Sequence, residues 1–547
     1  MKAVIIAHPQ DIKFFNKNDN KINFYAYNYY TYLKLKKKIP RIYYLNDKLD
    51  LKNLDNFSQN ICLNWFKRNR IKNYNLNKIS LGNIIHPRLI NEYSNSIKNF
   101  ILIKKILLNN TKLFFPQNNK KYIQHILDFF PNKINFYKSN NNLQFLLATN
   151  NLRSDISSLP IIHKLSNIAR FIQYFFFSKK KNKIIYYPDP RTNNFFKNFN
   201  NILSLNSLFV WKSFYFKLNR EHIKKVKKII DFNYQEDLNI FINFNIKKNN
   251  KKFLLIFIRC INNLVKSKQK NILRTLAIYN ELFEYYKPKA IIFPGVLNFD
   301  YAIGLELAKI NKIKTAIAID GVLTNYNLGE FNKNYFFDKI IAWGNENKIL
   351  LENHNIKKKD IILSDSYLKK NNPKSTDSEN YVIVLPLHHY SSKVSAHSDK
   401  CFYHTINILK VLNHLGEKKI ILKLKKGNYD IDQDEEIYKN FIKINNLKNI
   451  IIKKGDLQNL LKDAKYVIGQ CSTSIYEATI NDVPYHIYEP HDLGLSANDI
   501  KKSNLLNFLA VSRNKNQLLI NLKKKNKSSL SKSKKQIFKG KRLKKIF

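Results

Sequence analysis

The second half of the chain alternates between short apolar runs and longer stretches with apolar residues at helical spacing. Four runs between residues 290 and 364 have the continuous apolar character of parallel strands that are buried on both faces. They are residues 290–294 (AIIFP), 314–319 (KTAIAI), 338–343 (DKIIAW) and 360–364 (DIILS), with predicted helices at 301–310 and 345–354. This alternation predicts βαβ units and a mostly parallel sheet.

A second unit with the same alternation follows a polar stretch at 369–380 (KKNNPKSTDSEN), which we interpret as an interdomain linker. Its predicted strands are residues 381–386, 418–424, 449–453, 465–469 and 485–488. Its predicted helices are residues 401–415, 433–446, 456–463, 474–481 and 498–508. The pattern therefore predicts a second doubly wound parallel sheet.

The first half of the chain has few clear strand patterns. Residues 2–7 predict a first strand and residues 183–187 (KIIYY) a later one, and we interpret the helical patches between them as insertions on one N-terminal sheet. The predicted organisation has four parts: an N-terminal domain at 1–368, the linker at 369–380, a C-terminal domain at 381–515 and a basic tail at 516–547.

Charge adds a preference for anionic partners. The chain has 95 Lys and Arg residues against 40 Asp and Glu residues, a formal net charge of +55. A composition rich in Lys, Asn and Ile is typical of AT-rich genomes, but that bias would raise Glu as well as Lys. The excess favours phosphorylated small molecules, an anionic membrane surface or nucleic acid, and no recognised nucleic-acid motif supports the last. We interpret the basic tail as a solubilising segment or as an anchor to anionic lipid.

Cysteine spacing and hydropathy exclude other classes. The sequence holds four widely separated cysteines, Cys62, Cys260, Cys401 and Cys471. The absence of a C-x-x-C pair argues against a disulfide framework and a structural zinc site. The most apolar stretch, residues 253–265, is too short to span a bilayer and contains Arg259. We expect a cytoplasmic protein, with the inner face of the membrane as an alternative location.

Several catalytic motifs are missing from the sequence. It has no GxxxxGK[ST], no GxGxxG after a strand, no GxSxG and no Asp-x-Asp at a strand end. These absences argue against P-loop phosphoryl transfer, dehydrogenases, α/β-hydrolases and metal-dependent single-domain transferases. We therefore expect neither a cofactor nor a catalytic metal.

The strongest candidate site is residues 469–478 (GQCSTSIYEA), where a predicted buried strand ends in hydroxyl residues and a helix begins. Ligands of open α/β sheets bind beyond the carboxyl ends of strands, and a helix N-terminus offers unpaired N–H groups to a phosphate. Ser472, Thr473 and Ser474 are the predicted phosphate ligands. The structural alternative is that Ser472 or Thr473 only caps the helix, with Glu477 in its first turn.

The run at 455–484 resembles the donor-site segment of GT-B glycosyltransferases, in particular bacterial surface-polysaccharide enzymes of the sialyltransferase-like and glycerophosphotransferase-like kinds. A second block, at 314–356, is similar to the end of the first domain in that family, where one strand precedes a polar motif with Gly and another ends in a Trp-Gly pair. The resemblance covers residues 288–490. It implies two Rossmann-like sheets facing a cleft, with an acceptor-binding N-terminal domain and a nucleotide-sugar-binding C-terminal domain.

The resemblance also implies roles for single residues. Ser472–Ser474 would hold the donor phosphate and Glu477 would face the ribose of a CMP-, CDP- or UDP-linked donor. Asp320 matches one acid of the family's acid-acid-Gly motif, the general base. A carboxylate at a strand end before Gly also suits a base on chemical grounds, although Asp-Gly is a common turn pair.

One family motif is absent. The chain reads LKLKKG at 422–427 where the family has a Lys-x-His-Pro-like motif, which weakens the implication of a cytidine nucleotide. Lys425 is the candidate for neutralising a phosphate there, and Lys423 is interpreted either as part of that site or as a strand residue that extends to solvent.

Three further residues follow predicted strands. His388 and Glu489 are candidates for the donor side, and His8 is a candidate for the acceptor side. The sequence thus predicts a metal-independent glycosyltransferase that moves a sugar from a nucleotide donor to a surface-glycan or lipid-linked acceptor. The alternatives are a glycerophosphotransferase or sugar-nucleotide epimerase on the same fold, and a non-catalytic scaffold in envelope assembly.

Overall fold

The described part of the chain folds into three parallel β-sheets with helices packed on their faces, so the predicted α/β class is confirmed. The structure is a computed structural model. It describes residues 1–27, 29–45, 81–139, 184–187, 202–204, 250–295, 299–319, 337–353, 355–364, 380–386, 398–424, 431–490 and 509–524, with isolated residues between 54 and 79 and between 196 and 243. Among these residues, no helix is both long and apolar enough to cross a membrane.

The first sheet has five parallel strands in the order β3-β2-β1-β4-β5. They are β1 (Lys2–Ile6), β2 (Ile22–Ala26), β3 (Ile42–Tyr44), β4 (Lys112–Pro116) and β5 (Ile134–Tyr137), and the helices are α1 (Tyr29–Lys36) and α2 (Leu81–Leu108). Successive residues of β1 point to opposite faces, so Ala3 and Ile5 lie in one core cluster and Val4 and Ile6 in another. Both faces of this sheet are therefore covered, as expected of parallel strands.

The second sheet has six parallel strands in the order β11-β10-β9-β8-β6-β7. They are β6 (Ile184–Tyr186), β7 (Ile202–Ser204), β8 (Ala290–Phe293), β9 (Lys314–Ala318), β10 (Lys339–Trp343) and β11 (Ile361–Ser364). Its helices are α3 (Lys251–Tyr286), α4 (Phe299–Ile310) and α5 (Gly344–Asn353). Helices α2, α3 and α4 pack against one another, and one continuous core joins them to the first and second sheets.

The third sheet has six parallel strands in the order β14-β13-β12-β15-β16-β17. They are β12 (Tyr381–Val384), β13 (Ile420–Leu424), β14 (Ile450–Lys454), β15 (Ala464–Gly469), β16 (Tyr485–Tyr488) and β17 (Ala510–Ser512). Its helices are α6 (Ser398–His414), α7 (Ile431–Ile444), α8 (Leu457–Leu461), α9 (Ser474–Ile480) and α10 (Lys515–Lys523). Counted along this unit, the strand order is 3-2-1-4-5-6, the order of nucleotide-binding Rossmann sheets.

The predicted strands of residues 290–364 and 381–488 are all present, with ends that differ by one or two residues. The prediction of a single N-terminal sheet with helical insertions is wrong, because β1 and β6 belong to different sheets. The strands β2, β3, β4, β5 and β7 were not recognised, because each has only three to five residues in a region rich in Asn, Lys, Phe and Tyr.

The C-terminal boundary also changes. Residues 516–523, predicted as the start of the basic tail, belong to α10, and Leu518 is fully buried in the core of the third sheet. The predicted linker at 369–380 and the predicted helix at 498–508 lie outside the described residues, apart from residue 380.

Candidate functional site

The candidate site lies at the centre of the third sheet, where the strand order reverses. β12 and β15 are neighbours there, and the chain leaves them toward opposite edges of the sheet, β12 toward β13 and β15 toward β16. Such a switch point leaves a crevice beyond the carboxyl ends of the two strands, which is where ligands of open α/β sheets bind. β15 runs through Gly469 directly into the predicted phosphate loop, Gly469–Ser474.

Gly469 is required for close packing at the start of this loop. A Cβ at this position would lie 2.5 Å from the hydroxyl oxygen of Tyr485 and 3.0 Å from Cβ of Leu385. The Tyr485 hydroxyl donates a hydrogen bond of 2.7 Å to the Gln470 carbonyl, so it fixes the first turn of the loop. Tyr485 was not among the predicted site residues, and its place in a buried strand (YHIY) offered no sign of this contact.

Glu489, predicted for the donor side, holds the loop from the next strand. Its carboxylate Oε1 accepts a hydrogen bond of 2.9 Å from the backbone N–H of Cys471, and the residue is 1% exposed. The Arg513 guanidinium donates to the Glu489 carbonyl at 3.1 Å. A buried carboxylate that accepts a backbone N–H adds a charge-assisted bond, so Glu489 positions the loop.

The predicted hydroxyl residues lie half-buried at the edge of the crevice. Within the described part of the chain, nothing accepts a hydrogen bond from the backbone N–H of Ser472, Thr473 or Ser474. Thr473 is the N-cap of α9, yet its side chain makes no capping bond, so the capping alternative fails for this residue. Helix α9 has only seven residues, so its dipole is small. For binding a phosphate, the three N–H groups and the hydroxyls of the loop therefore matter more than the helix dipole.

Lys423 lies at the same edge of the sheet, one residue before the end of β13. Burial lowers the pKa of its ammonium, and the carboxylates of Glu477 and Asp456 act on it in the opposite direction. Lys423 is half-buried, and both interpretations of this residue, as part of the phosphate site and as a strand residue that extends to solvent, stay predictions. The residue shares its face of the sheet with Ile421, whose side chain belongs to the core cluster that contains α9, and this alternation was visible in the sequence.

The carboxyl edge of the second sheet contacts the third unit beside this site. Trp343, the last residue of β10, packs on Tyr476 of α9 with ring centroids 6.1 Å apart. The Tyr476 hydroxyl donates to the Glu346 carboxylate of α5 at 3.3 Å. The Trp-Gly pair noted in the sequence thus joins the second sheet to the helix that follows the candidate loop.

The remaining predicted site residues do not all gather at this loop. Asp320, His388 and Lys425 lie outside the described residues. His8 lies at the carboxyl end of β1, in the first sheet rather than the second. Its Nδ1 accepts a bond of 3.2 Å from the backbone N–H of Gln10, so it caps the following 3₁₀ turn. Its acceptor-side role stays a prediction.

No protein-family model and no curated protein matches this sequence. Solved structures show a distant likeness. A UDP-GlcNAc 2-epimerase of Methanocaldococcus jannaschii, in complex with UDP-GlcNAc and UDP, has a TM-score of 0.38 and 13% identity over 63% of this chain and 92% of its own. A glycosyltransferase from Rickettsia africae has a TM-score of 0.35 and 12% identity over 63% of this chain and 88% of its own. At these TM-scores the likenesses carry no information about the activity of this chain.

Proposed function

We propose that the chain is a glycosyltransferase that binds a nucleotide sugar at the third sheet and transfers the sugar without a catalytic metal. The observation that carries the proposal is the group of three N–H donors, Ser472–Ser474, which have no acceptor among the described residues and lie at the switch point of a sheet in the Rossmann order. Backbone N–H groups in such a loop form a site for phosphate oxygens. The whole chain's excess of 55 positive charges favours the same anionic ligand.

The neighbouring side chains support a nucleotide diphosphate. Lys423 supplies a partly buried positive charge at the same edge, which strengthens its attraction to a phosphate. Glu477 lies one turn into α9 and is half-buried, a position from which its carboxylate can accept hydrogen bonds from ribose hydroxyls. Glu489 keeps the loop in place through its bond to the Cys471 N–H.

The proposed reaction uses these groups to stabilise the leaving phosphate. An acceptor hydroxyl attacks the anomeric carbon, the carbon–oxygen bond to phosphate breaks, and the nucleotide departs with the bonding electrons. Preorganised N–H donors and Lys423 take the place of a divalent ion at the departing oxygen. Asp320, which follows β9 in the second sheet, is the proposed base that takes the proton from the acceptor hydroxyl. The contact of Trp343 with α9 supports an acceptor cleft between these two sheets.

The first test is the melting temperature of the full chain with CMP, CDP, UDP and GDP and their sugar conjugates. A ligand at 100 times its Kd stabilises the native state by about 2.7 kcal/mol. We expect one nucleotide to raise the melting temperature and Ser472→Ala/Ser474→Ala to abolish the shift. If no nucleotide changes the melting temperature of the folded chain, the non-catalytic scaffold replaces this proposal.

A product assay with the identified donor then tests the reaction. We expect Asp320→Asn to bind the nucleotide as the wild type does and to transfer no sugar. Release of an isomerised nucleotide sugar instead of a transferred one would identify an epimerase and contradict the transferase. Full transfer by Asp320→Asn would show that another group is the base.

A further inference from the structure

A cluster of metal-ligating side chains lies among the helices that share one core with the first and second sheets. Glu92 of α2, Cys260 of α3 and His125, which lies between two 3₁₀ turns after β4, meet where the two longest helices pack against each other. Their atoms Glu92 Oε1, His125 Nε2 and Cys260 Sγ come within 4.8 Å of one another. We infer that these three side chains bind one divalent transition-metal ion, best suited to Zn²⁺.

The distances are close to those of a tetrahedral site. Bonds of about 2.0–2.3 Å from zinc to nitrogen, oxygen and sulfur place two ligands about 3.3–3.8 Å apart. The His125 and Glu92 atoms are 2.8 Å apart, as in a hydrogen bond. Shifts of about 1 Å in these side chains therefore convert the observed cluster into a coordination sphere.

The donor set decides which ion fits. One imidazole nitrogen, one thiolate sulfur and one carboxylate oxygen suit zinc and other first-row transition metals, whereas Mg²⁺ and Ca²⁺ require oxygen ligands. A divalent ion with one thiolate and one carboxylate has no net charge, which is favourable because Cys260 is fully buried and His125 is 8% exposed. A metal-bound cysteine is a thiolate, so binding of the ion would release the Cys260 proton.

The surroundings hold the three ligands in place. The Asn263 amide donates to Glu92 Oε1 at 2.8 Å, and the Cys260 sulfur lies 3.6 Å from the Ser96 hydroxyl. The Arg259 guanidinium donates to the His125 carbonyl at 2.8 Å, which ties the turn to α3. Such supporting hydrogen bonds orient metal ligands and tune their affinity.

The site has an opening for the ion and for a fourth ligand. About a quarter of the Glu92 side chain, 26%, is exposed to solvent. The three protein ligands leave one tetrahedral position, which a water molecule fills from that side. Because the ligands come from α2, α3 and the segment after β4, the ion would tie the first sheet to the helices that support the second.

The test uses the full chain, stripped with a chelator and then dialysed against Zn²⁺ or Co²⁺. We expect one ion per chain by elemental analysis and, with Co²⁺, a near-ultraviolet charge-transfer band that reports a thiolate ligand. Cys260→Ser should abolish the band, and Glu92→Gln and His125→Gln should each weaken metal affinity by at least about tenfold.

Cys62→Ser is the matched control. Cys62 is also fully buried and lies close enough to Cys260 to interact with it electrostatically, but it is outside the ligand group. This variant should keep the band and the stoichiometry. If the wild-type chain retains neither Zn²⁺ nor Co²⁺, that result alone overturns the inference. A band that survives Cys260→Ser, or one that Cys62→Ser abolishes, would overturn the assignment of the ligands.

Discussion

The first and third sheets share a strand order and differ in what fills the crevice at the switch point. In both sheets the first and fourth strands of the unit are central neighbours, β1 with β4 and β12 with β15. In the first sheet, the carboxyl edge is occupied by the Asp11 carboxylate, which is fully buried. In the third sheet, the corresponding edge carries the loop whose three N–H groups meet no acceptor in the part of the chain that the structure describes.

Asp11 is held by groups at the carboxyl ends of two strands, β1 and β5. It accepts hydrogen bonds from the His8 N–H at 3.1 Å, from the Ser139 hydroxyl at 2.7 Å and from the Tyr137 hydroxyl at 3.4 Å. A fixed carboxylate repels a phosphate, and it takes up the donors that a ligand would need. The strand order therefore creates a crevice, and the side chains at the strand ends decide whether that crevice can bind an anion.

Removal of Asp11 should have the largest effect. Asp11→Ala leaves the Ser139 hydroxyl and the His8 N–H without this acceptor, whereas the Tyr137 hydroxyl keeps its 2.8 Å bond to the Ile5 carbonyl. We expect a loss of about 3 kcal/mol in the free energy of unfolding. Denaturant unfolding measures this loss, with Asp19→Ala as a control because the Asp19 carboxylate accepts an exposed turn bond from the Lys21 N–H. An equal loss in both variants would contradict the role of Asp11 as a buried hub.

In the third sheet, Gly469→Ala should disturb the loop directly. The added methyl group meets the Tyr485 hydroxyl and Leu385, and we expect overpacking to cost about 2 kcal/mol and nucleotide binding to weaken. Gly295→Ala is the matched control, because a Cβ there has no atom of the described chain within 4 Å. Thermal unfolding with and without nucleotide measures both effects. Normal binding by Gly469→Ala would show that the loop geometry is not needed.

Acid should weaken the third sheet through His486 of β16. Burial lowers the pKa of this imidazole from 6.5 to about 4. Between these values the unfolded chain binds a proton that the folded chain excludes, so stability falls as the pH drops from 6.5 toward 4. From pH 7 to pH 5 we expect this residue to account for a loss of about 1.5–2 kcal/mol. The unfolding free energy of His486→Gln should lack this loss between pH 7 and pH 5. Parallel curves of unfolding free energy against pH for the wild type and the variant would contradict the assignment of the loss to His486.

The smallest effect concerns the charge at the third sheet's edge. Lys423→Met should weaken the binding of the identified nucleotide about tenfold, or about 1.4 kcal/mol. Because burial lowers the pKa of Lys423, its ammonium loses its proton at a lower pH than that of an exposed lysine. The contribution of Lys423 to nucleotide affinity should therefore also be lost at a lower pH. Lys453→Met is the control, since Lys453 pairs with Lys423 in the neighbouring strand and is exposed. Calorimetric titration measures both affinities, and equal affinities would leave Lys423 without a role.

The local hydrophobic pattern was sufficient to predict most strands of the second and third sheets. Strands buried on both faces must be apolar along their whole length, so the runs AIIFP, KTAIAI and YVIVLP were recognisable without knowledge of their partners. The hydroxyl residues after β15 were also recognisable, because the strand-to-helix turn at Ser472–Ser474 is local. For Lys423 the sequence left two interpretations open, since the local pattern does not show how far a strand lysine is buried.

The sequence by itself determined the α/β class, the strands from residue 290 onward and the loop at Ser472–Ser474, because each depends on residues within a few positions of one another. Only the tertiary structure decided that the N-terminal strands form a separate sheet, and that Asp11 occupies its switch point. It also brought Glu92, His125 and Cys260 together. Pairing of strands and packing of helices join residues far apart along the chain, and hydrophobic periodicity contains no information about which distant partners meet.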